Sequence, residues 1–189
     1  MPGIVRRYGV NVEHGRVYAI GGSMGGQETL LLVARFPRLL AGAVAFDPAT
    51  DMSRRYRDFA SLKDGATLQS LARDEIGGTP ETDPAAYERR SPDHYARAIA
   101  DSGVPLQIFW SLRDRVIVDQ RLESARLADR ILDINPHARL WDFQGEWDHT
   151  AEMRSTRRLP RALARFGLLP WSKVPPLPRA ATPPRATAA

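Results

Sequence analysis

The residues best suited to do chemistry lie in one run, Gly21-Gly22-Ser23-Met24-Gly25-Gly26. A short apolar stretch, Val17 to Ile20, precedes it and a helix-forming run, Gln27 to Phe36, follows, so the chain must turn sharply from strand to helix. The small neighbours permit that turn and leave Ser23 at its apex. A Gly-x-Ser-x-Gly turn of this kind, a nucleophile elbow, lifts the hydroxyl above a sheet where a base can reach it. The Met24 N–H then points where negative charge would develop on an attacked carbonyl, and the helix N-terminus adds a favourable dipole. A glycine-rich turn with an ordinary serine is the plainer alternative; the apolar strand before and the apolar helix after favour the nucleophile.

A serine hydroxyl attacks only when a histidine takes its proton, and the histidine needs a carboxylate to fix its tautomer and stabilise the imidazolium. Both partners must stand on loops at the strand ends that face Ser23. Of the four histidines, His14 precedes the Ser23 strand on the wrong side, His94 lies in a helical insertion and His137 precedes a strand. His149 alone sits on a loop just after one. Asp114, on the loop after the third strand, is the expected acid, with Asp119 read as the N-cap of the next helix. Asp47 and Asp51, after the second strand, stay open as alternative acids.

The elements that would carry these residues can be read in order. Ile4 to Tyr8 reads as the last turn of a helix stopped by Gly9. Ala41 to Phe46 is a second buried strand ending at Asp47-Pro48, which makes a strand, helix, strand unit with parallel pairing. Residues 53–103 read as a helical cap, with Asp83-Pro84 and Ser91-Pro92 as N-cap and first-turn proline pairs. Val104 to Trp110 is a third strand. Asp119 to Ile134 is an amphipathic helix with Leu122, Ala125, Ala128 and Leu132 on one side. Arg139 to Phe143 is a fourth strand, and Met153 to Phe166 a closing helix whose Arg154, Arg157, Arg158, Arg161 and Arg165 read as a solvated stripe. Lys173 to Ala189, rich in Pro, Ala, Thr and Arg, reads as a disordered tail. The fold class expected is α/β, a mostly parallel sheet of about four strands flanked by helices.

The chain order Ser23, Asp114, His149 is that of α/β-hydrolases. The chain resembles the C-terminal part of an α/β-hydrolase of the esterase and prolyl-oligopeptidase-like kind over about residues 4 to 168. The resemblance rests on the Ser23 turn, the Trp110-Ser111-Leu112-Arg113-Asp114 loop and the Gly145-Glu146-Trp147-Asp148-His149 loop; Ser111 stands where such families often have glycine. It implies an eight-stranded sheet of which this chain supplies the fifth to eighth strands. The earlier strands, and the loop that donates a second oxyanion N–H, are then expected on a missing N-terminal segment or on a partner in an oligomer, which would cover the Val17 to Ile20 edge. The chain alone is expected to be a weak hydrolase, since losing one oxyanion donor costs about 10²- to 10³-fold in turnover.

At 189 residues the sequence suits one domain. No apolar run approaches the ~20 residues of a membrane span, and residues 1–16 lack the pattern of a signal peptide. The absence of cysteine excludes disulfides and thiolate metal sites. The net charge of +5 is almost wholly arginine, Lys63 and Lys173 being the only lysines, and it is interspersed with acidic residues, which argues against a nucleic-acid surface. The leading expectation is a serine hydrolase cleaving a carboxylic ester or small peptide bond through an acyl-enzyme, needing no cofactor and no metal. A non-catalytic fragment or binding module that keeps half the sheet is the alternative, and acyl transfer by the same residues a third. Tyr56, Tyr87, Tyr95 and Trp147 are candidate substrate linings, with buried packing as the competing role for each.

Overall fold

The structure, a computed structural model, describes residues 17–154 and 158–177. The expected helix at Ile4 to Tyr8, Arg157 of the arginine stripe and the chain beyond residue 177 lie outside the described residues. Four parallel strands form one sheet in the order β1 (Val17–Gly22), β2 (Leu40–Phe46), β3 (Leu106–Ser111) and β4 (Leu140–Gly145). Each parallel pair needs a crossover. Helix α1 (Met24–Arg35) supplies the first, a helical insertion the second, and a helix after β3 the third.

Strand β2 is apolar on both faces because both are covered. Ala43 and Ala45 face the same side as Ile108 and Trp110 of β3, against Leu30 and Val33 of α1 and Leu127 and Ile131 of the third crossover. Val44, Phe46 and Phe109 face the other way, onto Trp147 and Ala162. Across that second face the rings of Phe46, Phe109 and Phe143 stack strand to strand, with centroids 4.7 and 4.5 Å apart. β1 is covered less: among the described residues it pairs with β2 alone, and Tyr18 and Ile20 are each more than a third exposed.

The insertion holds α2 (Met52–Asp58), α3 (Gly65–Ala72), α4 (Pro84–Arg90) and α5 (Ala96–Ala100). Asp51 and Asp83 cap α2 and α4, accepting from Arg54 N at 3.0 Å and Ala86 N at 3.1 Å. Ser91, expected to cap in the same way, does something else. Its hydroxyl donates to Tyr87 O at 2.8 Å and accepts from Met52 N at 2.9 Å, tying α4 to α2. Met52, Tyr56 and Tyr87 form a small core that reaches across to Ile117, beyond β3.

The third crossover departs from the expected single helix. A π turn, Arg121–Ala125, comes first, and α6 (Arg126–Ile134) follows. Asp119, read as the N-cap, is instead a turn residue with φ of 55°, and Gln120 occupies the cap position. The face turned to the sheet is not the expected one: Glu123, Ser124, Leu127, Ala128 and Ile131 are buried while Leu122 and Leu132 are exposed. In the closing segment the described residues include α7 (Ala151–Arg154) and α8 (Arg158–Arg165). Its arginines are not merely solvated: Arg158, Arg161 and Arg165 lie over the rings of Trp147, Trp171 and Phe143, where a weakly hydrated guanidinium covers an aromatic face. The start of the expected tail is held too, by a 3₁₀ turn at Trp171–Lys173 and a 3.5 Å hydrogen bond from Arg161 to Pro175 O.

Candidate active site

The four strands each hand one polar residue to the same edge of the sheet. Ser23 follows β1, Asp47 follows β2, and Asp114 and His149 stand a few residues beyond β3 and β4. Ligand sites of open parallel sheets form at these carboxyl ends. The backbone is strained here as well. Among the described residues four that are not glycine have positive φ, and three of them, Ser23 at 56°, Asp47 at 44° and Thr150 at 55°, are at this edge. Each such conformation costs on the order of 1 kcal/mol or more and persists because its surroundings fix it.

The turn at Ser23 depends on glycine. A Cβ on Gly21 would come within 2.1 Å of Gly25 O, so the strand can meet the helix this closely only without one. Ser23 N donates to Phe46 O at 2.9 Å, which pins the turn to the end of β2. The Ser23 hydroxyl caps no helical N–H and makes no hydrogen bond among the described residues. Met24 opens α1, so its N–H is one of the first-turn groups left without an intrahelical acceptor. A Cβ on Gly22 would lie 3.0 Å from Thr150 Cγ2 and 2.8 Å from Met153 Sδ. The Ser23 turn and the His149 turn therefore touch.

Asp114 and His149 are joined directly. His149 Nδ1 and Asp114 Oδ2 are 2.8 Å apart, and the His149 side chain is 16% exposed. Asp114 Oδ2 also accepts from Gln120 Nε2 at 3.2 Å, and Oδ1 accepts from Val116 N at 2.8 Å and Ile117 N at 3.0 Å. Burial alone would push the carboxyl up. The His149 hydrogen bond and charge, with the two backbone donors, outweigh it and hold Asp114 below the ordinary carboxylate value. Gln120 is steadied in turn by Ser124 Oγ, which donates to Gln120 Oε1 at 2.6 Å. The Ser111 hydroxyl donates to Trp147 O at 2.5 Å and accepts from Trp147 N at 2.7 Å, binding the Asp114 loop to the His149 loop.

Asp47 and Asp51, the other aspartates open as partners of His149, have separate places. Asp51 caps α2 and pairs with Arg126 at 3.4 Å. Asp47 is fully buried, and its Oδ2 accepts from Trp147 Nε1 at 2.9 Å and Thr150 N at 2.8 Å. Its Oδ1 has no hydrogen-bond partner among the described residues. Burial pushes Asp47 up to about 6, against the pull of those two donors. Ligand-type atoms of Asp47, Asp114 and His149 lie within 4.8 Å of one another. A cation there would compete with the hydrogen bond between His149 and Asp114, and the chemistry read from the sequence calls for none.

The sequence reading did not single out Gln120, Glu123 or Ser124. Glu123 Oε2 accepts from Thr50 N, Thr50 Oγ1 and Asp51 N at 2.7 to 2.9 Å, and burial pushes its carboxyl up to about 7. The signal was present: three polar residues that continue the buried face of Leu127 and Ile131 one turn earlier. Of the candidate linings, Trp147, Tyr56 and Tyr87 are buried in packed clusters, and Tyr95 is half-buried beside Arg35. A pocket of about 270 Å³ between Pro37, Leu40, Val104, Pro105 and Arg139 is at the opposite end of the strands from Ser23.

Comparison with known proteins adds independent findings. A family model described as the prolyl oligopeptidase family matches residues 6–164. No curated protein matches the sequence. Among solved structures, Pyrococcus horikoshii acylaminoacyl peptidase is similar with a TM-score of 0.63 at 16% identity, over 88% of this chain and 25% of that one. An esterase from Pyrococcus furiosus gives 0.53 at 19% identity, over 81% of this chain and 54% of that one. A puromycin hydrolase gives 0.54 at 21% identity, over 78% and 20%. At these identities the likeness is one of fold, that of α/β-hydrolases, and the chain spans only part of each neighbour's length.

Proposed function

This chain belongs to the prolyl oligopeptidase family, and on that premise we propose that it is a serine hydrolase acting through Ser23, His149 and Asp114. Ser23 Oγ attacks the carbonyl carbon of a carboxylic ester or of an amide in a small peptide, and its proton passes to His149 Nε2. Asp114 holds the Nδ1–H and stabilises the imidazolium. The Met24 N–H donates to the oxygen on which negative charge develops. The protonated His149 then gives its proton to the departing alcohol or amine as the tetrahedral adduct collapses to an acyl-enzyme. Water, deprotonated by the same ring, releases the acid and restores Ser23.

The observation that carries this reading is the 2.8 Å hydrogen bond between His149 Nδ1 and Asp114 Oδ2, on a turn that packs against the Ser23 turn. The printed activities of the structural neighbours, an acylaminoacyl peptidase, an esterase and a puromycin hydrolase, support an acyl bond as the substrate. Turnover of p-nitrophenyl acetate tests it. The wild-type chain should release nitrophenol above background and Ser23→Ala should not; equal rates would remove Ser23 from the chemistry.

A further inference from the structure

Loops beyond a strand keep a catalytic side chain in place only if something fixes their ends. The His149 turn has two such fixings, and both reach the same atom. Asp47 Oδ2 takes the Trp147 Nε1–H from one side of His149 and the Thr150 N–H from the other, at 2.9 and 2.8 Å. Asp47 is itself immobilised: its N–H donates to Phe109 O at 2.7 Å, its φ is 44° and it has no exposed surface. We propose that Asp47 is a positioning residue for His149, a buried carboxylate that clamps both flanks of the base turn to the end of β2 and clamps it most firmly when ionised.

The charge matters because an ionised acceptor forms hydrogen bonds roughly twice as strong as a neutral one. A buried carboxylate whose Oδ1 has no hydrogen-bond partner among the described residues is a costly way to bind two N–H groups if geometry alone were wanted, since an asparagine would accept the same pair. The charged groups that face Asp47 are Asp114, which opposes its ionisation, and His149, which favours it. With burial the dominant influence, its carboxyl changes state at about 6, so the clamp tightens as pH rises through that value. The catalytic consequence rests on the serine-hydrolase reading above; the clamp itself does not.

Two readouts on the full chain keep the ideas apart. In ¹⁵N spectra the Trp147 indole and Thr150 amide signals should shift together with one midpoint near pH 6, should still do so in His149→Ala, and should lose that step in Asp47→Asn. The rate at which a fluorophosphonate labels Ser23 should rise through the same pH range, and at pH 8 should be about tenfold lower in Asp47→Asn. A step that survives Asp47→Asn, or a variant with the wild-type labelling rate and pH profile, would overturn the proposal. Absent labelling with the spectral step intact would leave the clamp standing and remove the hydrolase reading.

Discussion

The loops after β2 and β3 each deliver a buried aspartate to the same histidine turn, and the two carboxylates are treated in opposite ways. Asp114 is surrounded by donors: two backbone N–H groups, the Gln120 amide and the His149 ring. Asp47 has two donors on one oxygen and, among the described residues, none on the other. Donors outweigh burial at Asp114 and hold it below the ordinary carboxylate value; burial outweighs donors at Asp47 and pushes it up to about 6. Depth of burial is therefore a poor guide to the state of a carboxyl. The number of N–H groups aimed at it decides.

The two also respond to pH with opposite sign. Asp114, depressed on folding, contributes stability above its unfolded value that is lost as pH falls. Asp47, raised on folding, contributes stability that is fully present below its unfolded value and is lost as pH rises through about 6. The ionised form of Asp47, the stronger acceptor for the Trp147 and Thr150 N–H groups, is the one that costs the fold most.

The sharpest way to break this contrast is to neutralise the aspartate with more donors. Asp114→Asn should lower kcat/KM for p-nitrophenyl acetate by about 10³- to 10⁴-fold, because the amide favours the wrong tautomer of His149. A loss under tenfold would mean that another group orients the ring. The next effect in size tests whether burial also prevails at an acid whose donors all reach one oxygen. Glu123, raised to about 7, should penalise the fold as pH climbs from the ordinary glutamate value through 7. Glu123→Gln should flatten that slope and recover on the order of 2 kcal/mol at pH 8, read from urea unfolding at pH 5 and pH 8. A slope that persists in the variant would show that other groups set it. The smallest effect probes the support of Asp114. Gln120→Ala removes one of four donors and should reduce kcat/KM roughly fivefold, with no change in the products formed.

Much of the architecture was legible because it is written in local chemistry. The run Leu40-Ala41-Gly42-Ala43-Val44-Ala45-Phe46 can be satisfied only by a strand covered on both faces, and alternation with helices makes the pairing parallel. The meeting of the loops that carry Asp114 and His149 follows from their leaving neighbouring parallel strands. What resisted reading depends on rotation and on distance in sequence. The helix after β3 offers two apolar sides, and the one that packs carries Leu127 and Ile131, so Leu122 and Leu132 face solvent while Glu123 and Ser124 go inside. Asp47 and Thr150 are 103 residues apart, and no spacing rule predicts that one carboxyl holds both flanks of His149. The arginines of α8 looked solvated because their partners, Trp147, Phe143 and Trp171, are on other segments.

The central claim is that folding makes Ser23 a nucleophile through His149. Exposing the full chain to a fluorophosphonate, digesting it and locating the adduct by mass spectrometry addresses this most directly. The account predicts a single phosphonylated peptide containing Ser23, no adduct in Ser23→Ala, and labelling slowed by at least two orders of magnitude in His149→Ala, on the order of the loss of a general base. An adduct elsewhere, or labelling of Ser23 at an undiminished rate without His149, would contradict it.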